Sequence, residues 1–172
     1  ESAAKATQRA QKGLQRIRAT IDRLKRFALA EEGILGSFQL QERTVRLLDP
    51  TAMGRKVLAE QPFSRLLGAE LLALAPGQVE LALDVRDELR QQNGFVHGGV
   101  LAYLADNALT YAGGTALRVP VVTSEMKLNY LRPGTGVRLI ARAQALHAGK
   151  SQAVCRCEIY SVDGEGAEKL CA

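Results

Sequence analysis

The chain has 172 residues, 47% hydrophobic and 24% charged, enough for one domain with a modest extension. No apolar run approaches the ~20 residues that span a bilayer, and the charged N-terminus is unlike a secretory signal, so the sequence predicts a cytoplasmic protein with no membrane partner. The net charge of +5 is uneven: residues 1–32 hold eight Lys/Arg against four Asp/Glu, the other 140 hold 15 against 14, and the near-neutral remainder argues against nucleic acid as a partner.

In chain order, residues 3–32 predict one long helix, with no Pro, a single Gly at Gly13 and many Ala, Gln, Lys and Arg. Ala10, Leu14, Ile17, Ile21, Leu24 and Ala28 recur at alternating spacings of four and three, a narrow seam for helix pairing or packing. Residues 33–50 keep no period, and Asp49-Pro50 ends them. A second helical pattern starts near Met53 and stops at Gly68, with Pro62 at a kink or a fresh helix start. Residues 70–75 and 79–85 read as strands joined by Pro76-Gly77; Val79, Leu81, Leu83 and Val85 face one way, Glu80 and Asp84 the other.

The organising stretch comes next, a glycine-rich turn from Gln92 to Gly99 that opens directly into an apolar helix. Gly94 permits the tight turn; Gly98 and Gly99 clear side chains from a helix start, whose unpaired N–H groups and end dipole attract negative charge. From Val100 to about Ala112 the helix reads as buried on most sides, closed by Gly113-Gly114. Asp106 lies in its middle, where a carboxylate is costly unless satisfied: it is either a structural aspartate or an active-site group. His97 and Asp106 are nine positions apart, so on one helix they lie on opposite faces and ~13 Å apart. If they act together, the His97-Gly98 end of one subunit meets Asp106 of another across a two-fold axis.

Three long strand candidates follow, over 121–131, 137–146 and 152–162, linked by hairpin-like turns, and Lys169 opens a last strand that stops short. One helix followed by a strand meander implies an α+β domain whose antiparallel sheet curls round the helix, with Gly98, Gly99, Ala102, Ala105, Ala108 and Ala112 allowing close approach. Cys155 and Cys157 share a strand face and Cys171 stands alone, a set that suits neither a disulfide framework nor a zinc site. Reduced, packed thiols and no metal are expected.

Gly94-x-x-His97-Gly98-Gly99, then Leu104-Ala105-Asp106, then the stretch from Val121 to Pro133 together resemble the hotdog-fold acyl-CoA thioesterases of the phenylacetate-pathway (PaaI) type. The likeness covers about 59–172 and leaves 1–56 as an N-terminal helical extension of unassigned role beside a thioesterase domain at 57–172. The resemblance implies a hotdog fold and hydrolysis of acyl-CoA, with coenzyme A as part of the substrate and no separate cofactor. It also implies self-association as a dimer or a dimer of dimers. It gives Gly98 N–H the oxyanion, helped by His97, and gives Asp106 of the partner subunit the attack, direct or through water. Gln91 stands where many relatives carry Asn, as a carbonyl or His-orienting partner, and Thr123 matches a hydroxyl that orients the water. Thr123 is equally an ordinary β-branched strand residue.

Gly99, Asn93, Tyr103 and Arg132 complete the candidate set as substrate-binding residues. Core packing is the alternative for Tyr103, as for Leu109, Tyr111 and Tyr130, and a solvated strand end is the alternative for Arg132 and Lys150. His147 reads as part of a solvated turn. Two other functions compete: a non-catalytic acyl-thioester-binding regulator with a basic N-terminal arm, which predicts no catalytic carboxylate, and a dehydratase or isomerase, which predicts a His/acid pair.

Overall fold

The computed structural model describes Asp49–Ala172; the expected N-terminal helix and all but the last two residues of the unperiodic segment after it lie outside these residues. Helix α1 spans Pro50–Glu60, starting where the Asp49 carboxylate accepts the Thr51 N–H at 3.0 Å and Pro50 supplies a first-turn residue that needs no donor. The 56/57 boundary drawn from the resemblance thus falls inside this helix. Helix α2, Pro62–Leu67, is a fresh start at Pro62, and Gly68 ends it in the left-handed region at φ 77°.

Strands β1 (Ala69–Ala75), β2 (Gln78–Asp84), β3 (Arg138–Ala148), β4 (Ala153–Val162) and β5 (Glu168–Leu170) form one antiparallel sheet in the order β1-β2-β3-β4-β5. Helix α3, Gly98–Leu117, packs across β2, β3 and β4. Register explains the core. Leu81, Ala141 and Ile159 are paired across the three central strands, as are Leu83 and Leu139, and all are essentially inaccessible. Ala105, Ala108 and Ala112 bring the helix down onto this face, and Leu104, also fully buried, fills the space between. The period of two sends Glu80, Arg142 and Glu158 to the outer face, where Arg142 pairs with Glu168 and Glu80 and lies 5.0 Å over the Tyr160 ring. No helix among the described residues is long and apolar enough to cross a membrane.

Two elements differ from expectation. The Gly113-Gly114 pair does not close the helix, which runs on to Leu117 and ends at Arg118 in the left-handed conformation. A Cβ on Gly113 would meet Cys155 Sγ at 3.5 Å and Ala153 Cβ at 3.7 Å, so the glycine lies against β4 and packing outweighs its weak helix propensity. The expected strand over 121–131 joins no ladder. Its alternation is real, with Met126 and Leu128 packed on the core and Lys127 and Asn129 exposed. Its backbone, however, reaches the sheet only where the Leu131 and Arg132 N–H groups donate to Cys171 O, just past β5. Alternation reports which face is apolar and not whether a partner strand lies alongside.

Candidate active site

The turn before α3 is a small closed loop. Gln91 N–H donates to Phe95 O at 2.8 Å and Gly94 N–H to Gln91 O at 2.9 Å, with Gly94 at φ 79°, a conformation its missing Cβ permits. Leu89 and Val96 pin the loop to the core, and His97 N–H donates to Leu89 O at 2.8 Å. His97 is therefore held extended (φ −62°, ψ 134°) as the N-cap of α3.

At the cap, the Gly99 N–H donates to His97 Nδ1 at 3.0 Å. A neutral ring making that bond carries its proton on Nε2, a donor on an exposed side chain. Tyr130 closes the other side, its hydroxyl donating to Gly98 O at 3.0 Å. The Gly98 N–H meets no acceptor among the described residues, so the helix start presents one free amide donor beside an imidazole N–H. That combination suits an oxyanion.

The second group lies further along α3. Asp106 is half-buried, and Thr123 Oγ1 donates to its Oδ1 at 2.5 Å. One carboxylate oxygen is held by the hydroxyl, and the other has no hydrogen-bond partner among the described residues. Because α3 is continuous from Gly98 to Leu117, the nine-residue separation puts Asp106 ~13 Å from His97 and on the opposite face. The structure brings together His97, Gly98 and Gly99, and separately Asp106 and Thr123. Within one protomer the two groups do not converge.

The remaining candidates divide. Gln91 is half-buried in the loop, while Asn93 is exposed at its tip. Arg132 is exposed, and its guanidinium donates to Leu170 O at 3.2 Å, bracing β5. Tyr103 packs against α2: its hydroxyl donates to Ser64 Oγ at 2.7 Å and accepts from Asn107 Nδ2 at 3.0 Å, and its ring meets Phe63 edge-on at 5.2 Å. Ser64 in turn donates to Gln61 Oε1 at 2.6 Å. This buried network, which ties α2 to α3, was missed in the sequence. Its signal was the i, i+4 spacing of Tyr103 and Asn107 on an otherwise apolar helix. His147 lies in β3 beside a bulge rather than in a turn. Cys155, Cys157 and Cys171 are free thiols, and among the described residues no cluster of His, Cys, Asp and Glu could hold a metal.

Known proteins resemble this chain in sequence and in fold. The thioesterase superfamily model matches residues 93–168, from the loop before His97 to the start of β5. The medium/long-chain acyl-CoA thioesterase YigI of Salmonella typhimurium is 30% identical over 128 residues, 64% of this chain and 83% of that protein. The chain belongs to the thioesterase superfamily. The acyl-coenzyme A thioesterase PaaI of Escherichia coli is 32% identical over 57% of this chain and 70% of its own length. Among solved structures, a thioesterase family protein from Silicibacter pomeroyi superposes with a TM-score of 0.63 at 32% identity, covering 68% of this chain and 87% of that one. The fold is the hotdog of these PaaI-like thioesterases, an α+β domain with a long helix on an antiparallel sheet.

Proposed function

We propose that this thioesterase hydrolyses acyl-CoA to the free acid and coenzyme A in sites shared by two protomers. The carrying observation is the one helix with two separated polar groups: a free Gly98 amide beside His97 at its start, and Asp106 held by Thr123 in its middle, on the far face. A two-fold pairing of helices sets one protomer's amide against its partner's carboxylate. The segment 121–131 supports such pairing, because its backbone is open over most of its length and Val122, Tyr130 and Leu131 are 78%, 56% and 56% exposed.

In this reading the thioester carbonyl oxygen sits at Gly98 N–H and His97 Nε2–H, donors whose bonds strengthen as negative charge develops there. The open oxygen of Asp106 takes a proton from a water as that water's oxygen bonds to the carbonyl carbon. The C–S bond then breaks, the sulfur leaves as a thiolate, and the proton passes from Asp106 to it, restoring the carboxylate. Thr123 keeps the carboxylate aimed through this cycle. The names of the relatives, YigI and PaaI, support acyl-CoA as the substrate class.

The test is acyl-CoA hydrolysis by the parent and by Asp106→Asn. Loss of a positioned acid-base group lowers kcat by about 10²–10⁴ with the fold intact; parent activity that survives unchanged in the variant rejects the assignment.

A further inference from the structure

A cleft of about 360 Å³ runs along the C-terminal half of α3 and is lined at one end by Thr123, the hydrogen-bond partner of Asp106. Its helical wall is one stripe: Leu109 or Thr110, Gly113 and Leu117 follow Asp106 at three or four, seven and eleven positions, the spacing of a single helix face. Val121 and Thr123 form the facing wall, and Cys155 on β4 lies across from Gly113. From Asp106 to Gly113 the stripe advances ~10 Å, and to Leu117 ~16 Å.

We propose that this cleft receives the acyl chain of the substrate, and that Gly113 and Cys155 set the chain length it accepts. This rests on the thioesterase reading and adds which half of the substrate lies on the Asp106 side. Charge decides that question. The lining includes one acid, Glu125, and no Lys or Arg, so it offers nothing to the phosphates of coenzyme A, whereas Leu109, Leu117 and Val121 offer apolar surface to a hydrocarbon. Continuity supplies the second argument: Thr123 both lines the cleft and holds the carboxylate, so a chain lying here has its carbonyl end beside Asp106. Gly113 and Cys155 form the floor of the cleft where helix and sheet touch: a Cβ on Gly113 would already meet Cys155 Sγ at 3.5 Å, so a larger side chain there has to rise into the cleft. Cys155, half-buried with its thiol pushed up by burial, serves there as a small apolar surface rather than as a nucleophile.

The experiment measures kcat/KM over straight-chain acyl-CoA thioesters from acetyl to palmitoyl for the parent, Gly113→Val and Cys155→Ala. Gly113→Val fills the cleft, and the ratio of long-chain to short-chain kcat/KM falls tenfold or more, the scale of methylenes excluded from an apolar pocket. Cys155→Ala enlarges it and shifts the preference toward longer chains; it introduces no added bulk, so it keeps the test decisive if the valine variant does not fold. A parent that hydrolyses these thioesters while Cys155→Ala keeps the parental length profile overturns the cleft assignment alone. A parent inactive on every chain length overturns the thioesterase reading itself. A second readout is independent of turnover: a non-hydrolysable long-chain acyl-CoA thioether slows maleimide labelling of Cys155, and free coenzyme A does not. Equal labelling in both cases also overturns the proposal.

Discussion

Thr123 and Asp106 are joined by a 2.5 Å hydrogen bond that ties the extended segment after α3 to the middle of the helix. The hydroxyl donates, so it orients the carboxylate and leaves its second oxygen to the proposed chemistry. Thr123→Val removes the donor at nearly constant volume and lowers kcat by about tenfold or more, while Thr123→Ser keeps the hydroxyl and most of the rate. Steady-state kinetics of the pair checks this; equal loss in both variants points to packing by the methyl group instead.

Gly98 offers a cleaner test of the proposed oxyanion site than any side chain does. It is the first residue of α3, where proline is tolerated, and His97 before it is already extended, as a residue preceding proline must be. Gly98→Pro therefore deletes the amide donor with little demand on the backbone, although Tyr130, 3.3 Å from the added Cβ, has to shift slightly. The expected loss is about 10²–10³ in kcat, with the helical circular dichroism unchanged.

Much of this site was legible in advance. The Gly98-Gly99 start, the nine-residue spacing that puts His97 and Asp106 on opposite faces and the β-turn glycine at Gly94 each follow from residue type and spacing. Thr123 was marked by the resemblance, and its contact with Asp106 needed coordinates. Other features could not be read. The persistence of α3 through Gly113-Gly114 depends on β4 packing against it, a tertiary effect that local propensity does not contain. The unpaired state of 121–131 was hidden because alternation specifies a face and not a neighbour. The Tyr103–Asn107–Ser64 network escaped notice because polar residues in a helix announce a partner without identifying it.

That network yields a stability prediction. Asn107 is 7% exposed and Ser64 1% exposed, and Asn107→Leu removes a donor shared by Ser64, Tyr103 and Gln61 without offering a replacement. The cost is about 1–3 kcal/mol, read as a Tm lower by several degrees. A Tm equal to that of the parent contradicts the bonding described.

Alkaline pH is the fold's weak side. Burial, and then the charge of Glu158, pushes the Cys157 thiol from 9.0 up to about 12; burial, and then Tyr103, pushes Tyr111 from 10.0 to about 12. Both groups hold their protons more tightly folded than unfolded. The stability they contribute is full below about pH 9 and is lost as the pH rises through 12. Denaturant titrations between pH 8 and pH 11, a range on the order of the shifts themselves, show a falling midpoint, and Cys157→Ala flattens that fall. A slope unchanged by the substitution assigns it to Tyr111 or to other groups.

The most direct measurement is subunit complementation. Asp106→Asn and Gly98→Pro are each expressed alone and then together, with the mixed dimer isolated by two affinity tags. One of its two sites then combines the intact Gly98 amide of the first variant with the intact Asp106 of the second. A shared site predicts that the mixed dimer regains about half of the parental activity per dimer, far above either variant alone. Activity that stays at the level of the separate variants contradicts it.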